Sequence, residues 1–122
     1  MNKMEKFLEK WYTHEFSTGC YAGGDYLKFQ REFRSLLKVI AADAGCVLHK
    51  FTKNHYCCSA VLKNQATGDF IYISISDVRG FPCAWARNIL YRTMAHDADW
   101  TGGPNHFSSL QYLAENLKQL NW

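Results

Sequence analysis

Apolar residues near the start of the chain repeat at intervals of three and four, which is typical of helices that bury one side. The first repeat predicts a short helix over residues 4 to about 12, with apolar positions at Phe7, Leu8 and Trp11. The second predicts a longer helix over residues 26–44, with apolar positions at Tyr26, Phe29, Phe33, Leu36, Leu37 and Ile40. Asp25 is placed to cap this helix, and Gly45 supplies the left-handed residue that ends it.

Three strand-like runs follow the second helix, over residues 46–52, 55–63 and 70–76. The third run alternates strictly, so it predicts a core face of Ile71, Ile73 and Ile75 and an opposite face of Phe70, Tyr72 and Ser74. Because the connections are short, the three strands are expected to form an antiparallel meander.

The rest of the chain is less regular. Residues 85–95 fit either a helix or a fourth strand, and the run from 89 to 93 favours the strand. Residues 96–105 are rich in Asp and Gly and predict a loop, and a final helix is expected over residues 108–120, with a seam of Leu110, Leu113, Leu117 and Leu120. The predicted fold class is α+β, with an antiparallel β-sheet meander packed by N-terminal and C-terminal helices in a single domain, residues 1–122.

The amino-acid composition is typical of one folded domain, and it excludes few classes of binding partner. The chain has 122 residues, of which 48% are hydrophobic, and this is enough for a core without a metal or disulfide staple. A net charge of +3 neither requires nor excludes a nucleic-acid partner. The aromatic share of 16% is high, so the rings must serve a core, a subunit interface or ligand stacking.

Cysteine usage indicates a reducing compartment. The chain has five cysteines, an odd number, and they form no CxxC pair. The charged amphipathic start does not resemble a secretory signal, and no run approaches the ~18 apolar residues of a membrane span. We therefore expect free, mostly buried thiols in a cytosolic protein with no membrane partner.

Arginines and aromatic rings alternate in the later part of the chain. No lysine occurs between Lys63 and Lys118, whereas Arg79, Arg87 and Arg92 all lie in that interval. The rings interleaved with them are Tyr72, Phe81, Trp85, Tyr91, Trp100 and Phe107. Guanidinium groups bind phosphate bidentately and rings stack on bases, so the pattern suits a nucleotide-like ligand. A sheet surface with internal Arg–Asp pairs, using Asp77, Asp97 and Asp99, is the structural alternative.

Two loops add to this candidate site. In residues 99–106, paired glycines allow backbone N–H groups to approach an anion, and Thr101 and Asn105 offer side-chain hydrogen bonds. A plain turn, with Asn105 or Ser108 capping the last helix, is the structural alternative. In residues 77–82, Gly80 and Pro82 force a turn that pushes Arg79 and Phe81 outward at a strand end, unless Phe81 fills an apolar gap or a dimer contact.

The chain also contains residue types that could form a metal site, a catalytic site or a second anion site. Metal ligands are available at His96, Asp97, Asp99 and His106, or at His49, His55, Cys57 and Cys58, but adjacent Cys57 and Cys58 point to opposite strand faces. Cys83 and His96 could form a nucleophile pair, although no spacing selects them. We expect neither a metal nor a catalytic site. A basic stripe on the second helix, formed by Lys28, Arg31, Arg34 and Lys38, is either solvated surface or a second anion or nucleic-acid contact.

Three runs in the second half of the chain resemble a known family. They are Tyr-Ile-Ser-Ile-Ser-Asp-Val-Arg at 72–79, Asn-Ile-Leu-Tyr-Arg-Thr at 88–93 and Asp-Trp-Thr-Gly-Gly-Pro-Asn at 99–105. These runs are similar to the first-described family of phage anti-Thoeris sponge proteins. The resemblance covers roughly the C-terminal half, and the N-terminal helices agree only in order and length.

The resemblance implies a phage counter-defence protein that is not an enzyme and uses no cofactor. In Thoeris immunity a TIR-domain enzyme converts NAD into a cyclic ADP-ribose isomer that activates an NAD-depleting executioner. The sponge family binds this signal, which is of the glycocyclic ADP-ribose type, and does not cleave it. This binding takes place in the cytoplasm of the bacterial host. Its members form homodimers or higher homo-oligomers with pockets near the subunit interface, and some also hold cyclic oligonucleotides at separate sites.

The candidate residues fit that ligand by type. The pyrophosphate is expected to contact Arg79 or Arg92, the adenine Phe81 or Trp85, and the ribose hydroxyls Asn88, Asp99 or Asn105. The predicted ligand-binding set is completed by Thr101, Gly102 and His106. The alternative hypothesis is a nucleic-acid- or protein-binding counter-defence module, such as an inhibitor of a CRISPR or restriction effector, and an enzyme acting on a nucleotide comes third.

Overall fold

A computed structural model describes residues 2–12, 24–54, 57–75, 89–99 and 103–120 of the protein. Within these ranges the chain forms three helices and five strands. In chain order they are α1 (Lys3–Tyr12), α2 (Gly24–Asp43), β1 (Cys46–Asn54), β2 (Cys57–Asn64), β3 (Phe70–Ile75), β4 (Ile89–Met94), β5 (His106–Ser108) and α3 (Leu113–Lys118).

The two N-terminal helices lie where the apolar repeats predict them. Asn2 accepts the backbone N–H of Glu5 at 2.8 Å and so caps α1. Helix α2 begins at Gly24, so Asp25 lies inside its first turn rather than before it. Gly45 has a φ of 75°, which confirms the predicted left-handed stop after α2.

The five strands form one sheet in the order β1-β2-β3-β4-β5, and every neighbouring pair is antiparallel. This confirms the predicted meander and the α+β class. It also confirms the strand interpretation of the 85–95 segment for its described part, because β4 pairs with β3 in register, Tyr72 lying opposite Arg92.

One face of the sheet, which we call the inner face, carries the helices. Ile71, Ile73 and Ile75 are all fully buried there, as the alternation predicts. Their cluster joins α1, α2 and α3 to the sheet through Phe7, Trp11, Phe29, Phe33, Leu36, Leu37, Ile40, Leu110, Leu113 and Leu117. Burial of this much apolar surface is the main force that holds the helices on the sheet.

The predicted C-terminal helix is wrong at its start. Residues 106–108 form β5 instead, because Tyr91 and Ile89 of β4 pair with His106 and Ser108. Helix α3 begins only at Leu113, after Tyr112, which makes no side-chain capping hydrogen bond. Neither Asn105 nor Ser108 therefore caps it: the Ser108 hydroxyl donates to the Ser109 carbonyl and accepts the Asn116 amide, each at 2.7 Å.

Two further sequence expectations can be compared with the described residues. Cys46 and Cys58 are free and buried, as expected of structural thiols, and burial raises the pKa of the Cys46 thiol. Within the described ranges, no helix combines the length and apolar character that a bilayer crossing requires.

Candidate functional site

The sheet face that points away from the helices, here called the outer face, carries the candidate site. Antiparallel pairing aligns its side chains in rows across the strands, one row being Lys50, Val61, Tyr72 and Arg92. A second row consists of Lys63, Phe70 and Met94. Val61 and Met94 are each only 4% exposed although neither belongs to the inner core. The centre of the outer face is therefore covered, and polar and aromatic groups surround it.

Arg92 is the charged side chain at this centre, and only 7% of it is exposed. Its guanidinium carbon lies 4.8 Å from the centroid of the Tyr72 ring, which the strand register places directly opposite. Its Nη1 donates to the backbone carbonyl of Asp99 at 3.0 Å. A buried cation needs such partners, because removal from water without compensation is costly. The ring and the carbonyl together hold the guanidinium plane in one orientation.

The turn after β4 is built around Asp99. Its carboxylate accepts the backbone N–H of Ala95 at 2.9 Å, and its own N–H donates to the carbonyl of His96 at 3.1 Å. These bonds close residues 95–99 into a compact turn and aim the Asp99 carbonyl at Arg92. Asp99 thus contacts Arg92 through its backbone carbonyl, whereas the structural alternative predicts a carboxylate–arginine pair.

The same turn reaches β1, the far edge of the sheet. One carboxylate oxygen of Asp97 lies 3.1 Å from Nε2 of His49 and 3.3 Å from Nζ of Lys50. The β1–β2 register shifts between Leu48 and Lys50, so His49 sits at a bulge, which re-aims its side chain. The His49 ring packs against Phe70, with centroids 5.1 Å apart. The turn and the bulge therefore close one end of the outer face.

The contact of Asp97 with β1 has a pH signature. The hydrogen bond from His49, followed by the hydrogen bond and charge of Lys50, lowers the pKa of Asp97 below its ordinary 3.8. A carboxyl with a lowered folded pKa stabilises the fold above its unfolded pKa, and this contribution is lost as pH falls through the folded value. By NMR we expect the Asp97 carboxyl to titrate below pH 3.8. In the double variant His49→Ala, Lys50→Ala the midpoint should return towards that value. An equal midpoint in both proteins would contradict the contact.

The residues before and in β5 divide between the two faces. Gly103 donates its N–H to the Thr93 carbonyl at 3.0 Å, and a side chain there would collide with the Thr93 hydroxyl. Its role in the structure is thus close approach to β4. Asn105 is exposed, just before β5. His106 lies on the inner face, stacked on Tyr91 with centroids 5.2 Å apart, and burial raises the pKa of Tyr91.

The structure therefore brings together part of the predicted set. Arg92 and Asp99 are in contact on the outer face, while His106 is on the opposite side of the sheet. Six predicted residues lie outside the described ranges, namely Arg79, Phe81, Trp85, Asn88, Thr101 and Gly102.

Comparison with protein-family models, with curated proteins and with solved structures finds no match to this chain. The family suggested by residues 72–105 therefore stays a prediction. Among the described residues, no three His, Cys, Asp or Glu side chains are grouped closely enough to hold a metal ion.

Sequence reasoning did not assign His49, Lys50 and Asp97 to one site. The period-two pattern of β3 already placed Phe70 and Tyr72 on the outer face, and aligning β4 against β3 would have put Arg92 beside Tyr72. The sequence around His49 has no pattern that would place its side chain in the same way, because the direction of that side chain depends on the bulge in β1.

Proposed function

We propose that this protein binds and sequesters a cyclic ADP-ribose isomer, the immune signal of Thoeris defence, and releases it chemically unchanged. In this role it is a phage counter-defence protein acting in the bacterial cytoplasm, where the signal is made. It requires no catalytic group and no cofactor. The ligand presents one flat adenine base and a pyrophosphate, so a complementary site needs rings and fixed cations in one place.

The observation that supports this function best is the Arg92–Tyr72 pair. Arg92 is only 7% exposed and its guanidinium is held over a ring, so the group is oriented before any ligand arrives, which reduces the entropy lost on binding. Arginine carries five N–H donors. Among the described residues, one of those of Arg92, an N–H on Nη1, is accepted, by the backbone carbonyl of Asp99. The remaining donors suit a pyrophosphate. The family resemblance of the flanking runs supports the same ligand class.

A homodimer or larger homo-oligomer is part of the proposal. Strand β5 has only three residues and forms one edge of the sheet, and its Phe107 is 59% exposed on the outer face. An exposed ring on a short edge strand is a favourable contact for a second copy, since it would become buried there. Association at this edge would place the partner beside the outer face.

The decisive experiment is retention followed by release. The protein is incubated with the cyclic signal, freed of unbound nucleotide by gel filtration and then heat-denatured, and the supernatant is analysed by mass spectrometry. We expect stoichiometric recovery of intact cyclic nucleotide and a higher melting temperature in its presence. Linear ADP-ribose is the matched control ligand and should be retained poorly.

Other outcomes would contradict the proposal in different ways. Recovery of a linear or cleaved product would indicate an enzyme. No retention and an unchanged melting temperature would instead favour the nucleic-acid- or protein-binding counter-defence module.

A further inference from the structure

Helix α2 carries a row of positive side chains on its solvent side, and no described carboxylate forms an ion pair with them. Lys28, Arg31, Arg34 and Lys38 are all exposed along its solvent side. The carboxylate that shares this part of the helix, Glu32, is already engaged: Lys10 of α1 lies 2.6 Å from it, and the Trp11 indole donates to it at 3.4 Å. The charge of the stripe is thus not neutralised by Glu32.

Two of these cations border a concave site. A cleft of about 330 Å³ lies between α2 and β1, lined by Gln30, Arg31, Arg34 and Phe51. Arg31 and Arg34 are three positions apart, so their side chains leave the helix as neighbours. Within the described part of the chain, no carboxylate forms an ion pair with either guanidinium. Two like charges held close together favour an anion between them.

Two further lining residues among those described, Gln30 and Phe51, give the cleft a polar base and a flat wall. Gln30 is only 2% exposed, so its amide is held in place by the surrounding structure. Phe51 is half-buried and packs against the inner core, which leaves part of its ring facing outward. Paired guanidinium groups suit a phosphate, and the ring edge or face suits a planar group attached to it.

We propose that this cleft is a second binding site, separate from the Arg92 site, for a phosphate-bearing small molecule with a planar ring. The volume is at the lower end of the range of about 300–1,000 Å³ for ligand pockets, which corresponds to a molecule of mononucleotide size. The phosphate lies between Arg31 and Arg34, and the planar group lies against Phe51. Lys28 and Lys38 lie outside this cleft and contribute only long-range attraction.

The probe for this site is adenosine 5′-monophosphate, titrated into the isotope-labelled protein and followed by NMR. We expect saturable shifts at Gln30, Arg31, Arg34 and Phe51. The double variant Arg31→Gln, Arg34→Gln should weaken binding at least about tenfold. The matched variant Lys28→Gln, Lys38→Gln removes the same charge from the same helix and should weaken it less than about threefold. Adenosine without phosphate should bind far more weakly.

Several results would overturn the proposal. Equal losses in the two double variants would show diffuse attraction to the helix, as expected for a nucleic-acid surface. The proposal also fails if no shifts appear up to about 10 mM probe, which corresponds to negligible affinity. Shifts confined to Tyr72 and Arg92 would place the probe on the outer face. Repeating the titration in an Arg92→Leu background separates the sites, because binding in the cleft should survive there even if the Thoeris signal is not the ligand.

Discussion

Replacing Arg92 with leucine is expected to weaken binding of the cyclic ADP-ribose signal at least about 30-fold, because truncating a buried, charge-assisted contact costs about 2–5 kcal/mol. The guanidinium is the buried cation of the outer face and is stacked on Tyr72. Leucine keeps much of the volume of the arginine side chain but removes its charge and the planar set of N–H donors. Isothermal titration calorimetry with the purified signal measures the loss. This prediction depends on the proposed function.

The control must separate loss of a contact from loss of structure. Lys63→Leu removes one charge from the same face, at an exposed position whose Nζ lies 5.8 Å from the Phe70 ring, and should change affinity by less than about threefold. Arg92→Lys keeps the charge without the planar fork and should give an intermediate affinity. Thermal melts of each variant test whether the turn at residues 95–99 survives. Full affinity in a folded Arg92→Leu variant would remove Arg92 from the site.

Replacing Phe29 with alanine is expected to lower the free energy of unfolding by about 3–5 kcal/mol. Phe29 is fully buried, and among the described residues its ring contacts Trp11 at 5.2 Å, Phe7 at 5.4 Å and Phe33 at 5.8 Å between centroids. Alanine would leave a cavity at the point where α1 packs on α2. Since domains of this size are stable by only about 5–15 kcal/mol, much of the total would be lost.

Urea denaturation followed by circular dichroism measures this effect, and the chain offers a matched control. Phe107→Ala makes the same chemical change at a ring that is 59% exposed, so the free energy of unfolding of the isolated chain should change by less than about 0.5 kcal/mol. If the two variants were destabilised equally, the aromatic cluster would not be the structural centre of the helical layer.

Much of the fold could be predicted because its elements have strong local signals. The repeat in α2 and the alternation in β3 each select one buried face, and the register of neighbouring strands then follows from aligning those faces. The C-terminal segment shows where this reasoning fails. Leu110, Leu113 and Leu117 follow a helical repeat and are buried, yet residues 106–108 pair with β4, because a free strand edge offers hydrogen bonds that the local pattern does not reveal.

The residue types of the candidate site were predictable, and its geometry only partly. Arginine and aromatic residues in the later strands predict an anionic, flat ligand, which stays a prediction, and the structure places Arg92 beside Tyr72 on the outer face. The placement of His106 on the inner face follows from the register of β5, a strand that the sequence did not predict. The contact of Asp97 with His49 and Lys50 joins residues 47 or more positions apart through a bulge and a turn.

The amino-acid sequence by itself therefore determined α1, α2, the first three strands and the residue types available for binding, because these depend on periodicity within short segments. Tertiary structure alone decided which of those residues meet. Strand register, the bulge at His49 and the turn built on Asp99 are set by pairing between distant segments, and they bury Arg92 while directing His106 to the other side of the sheet.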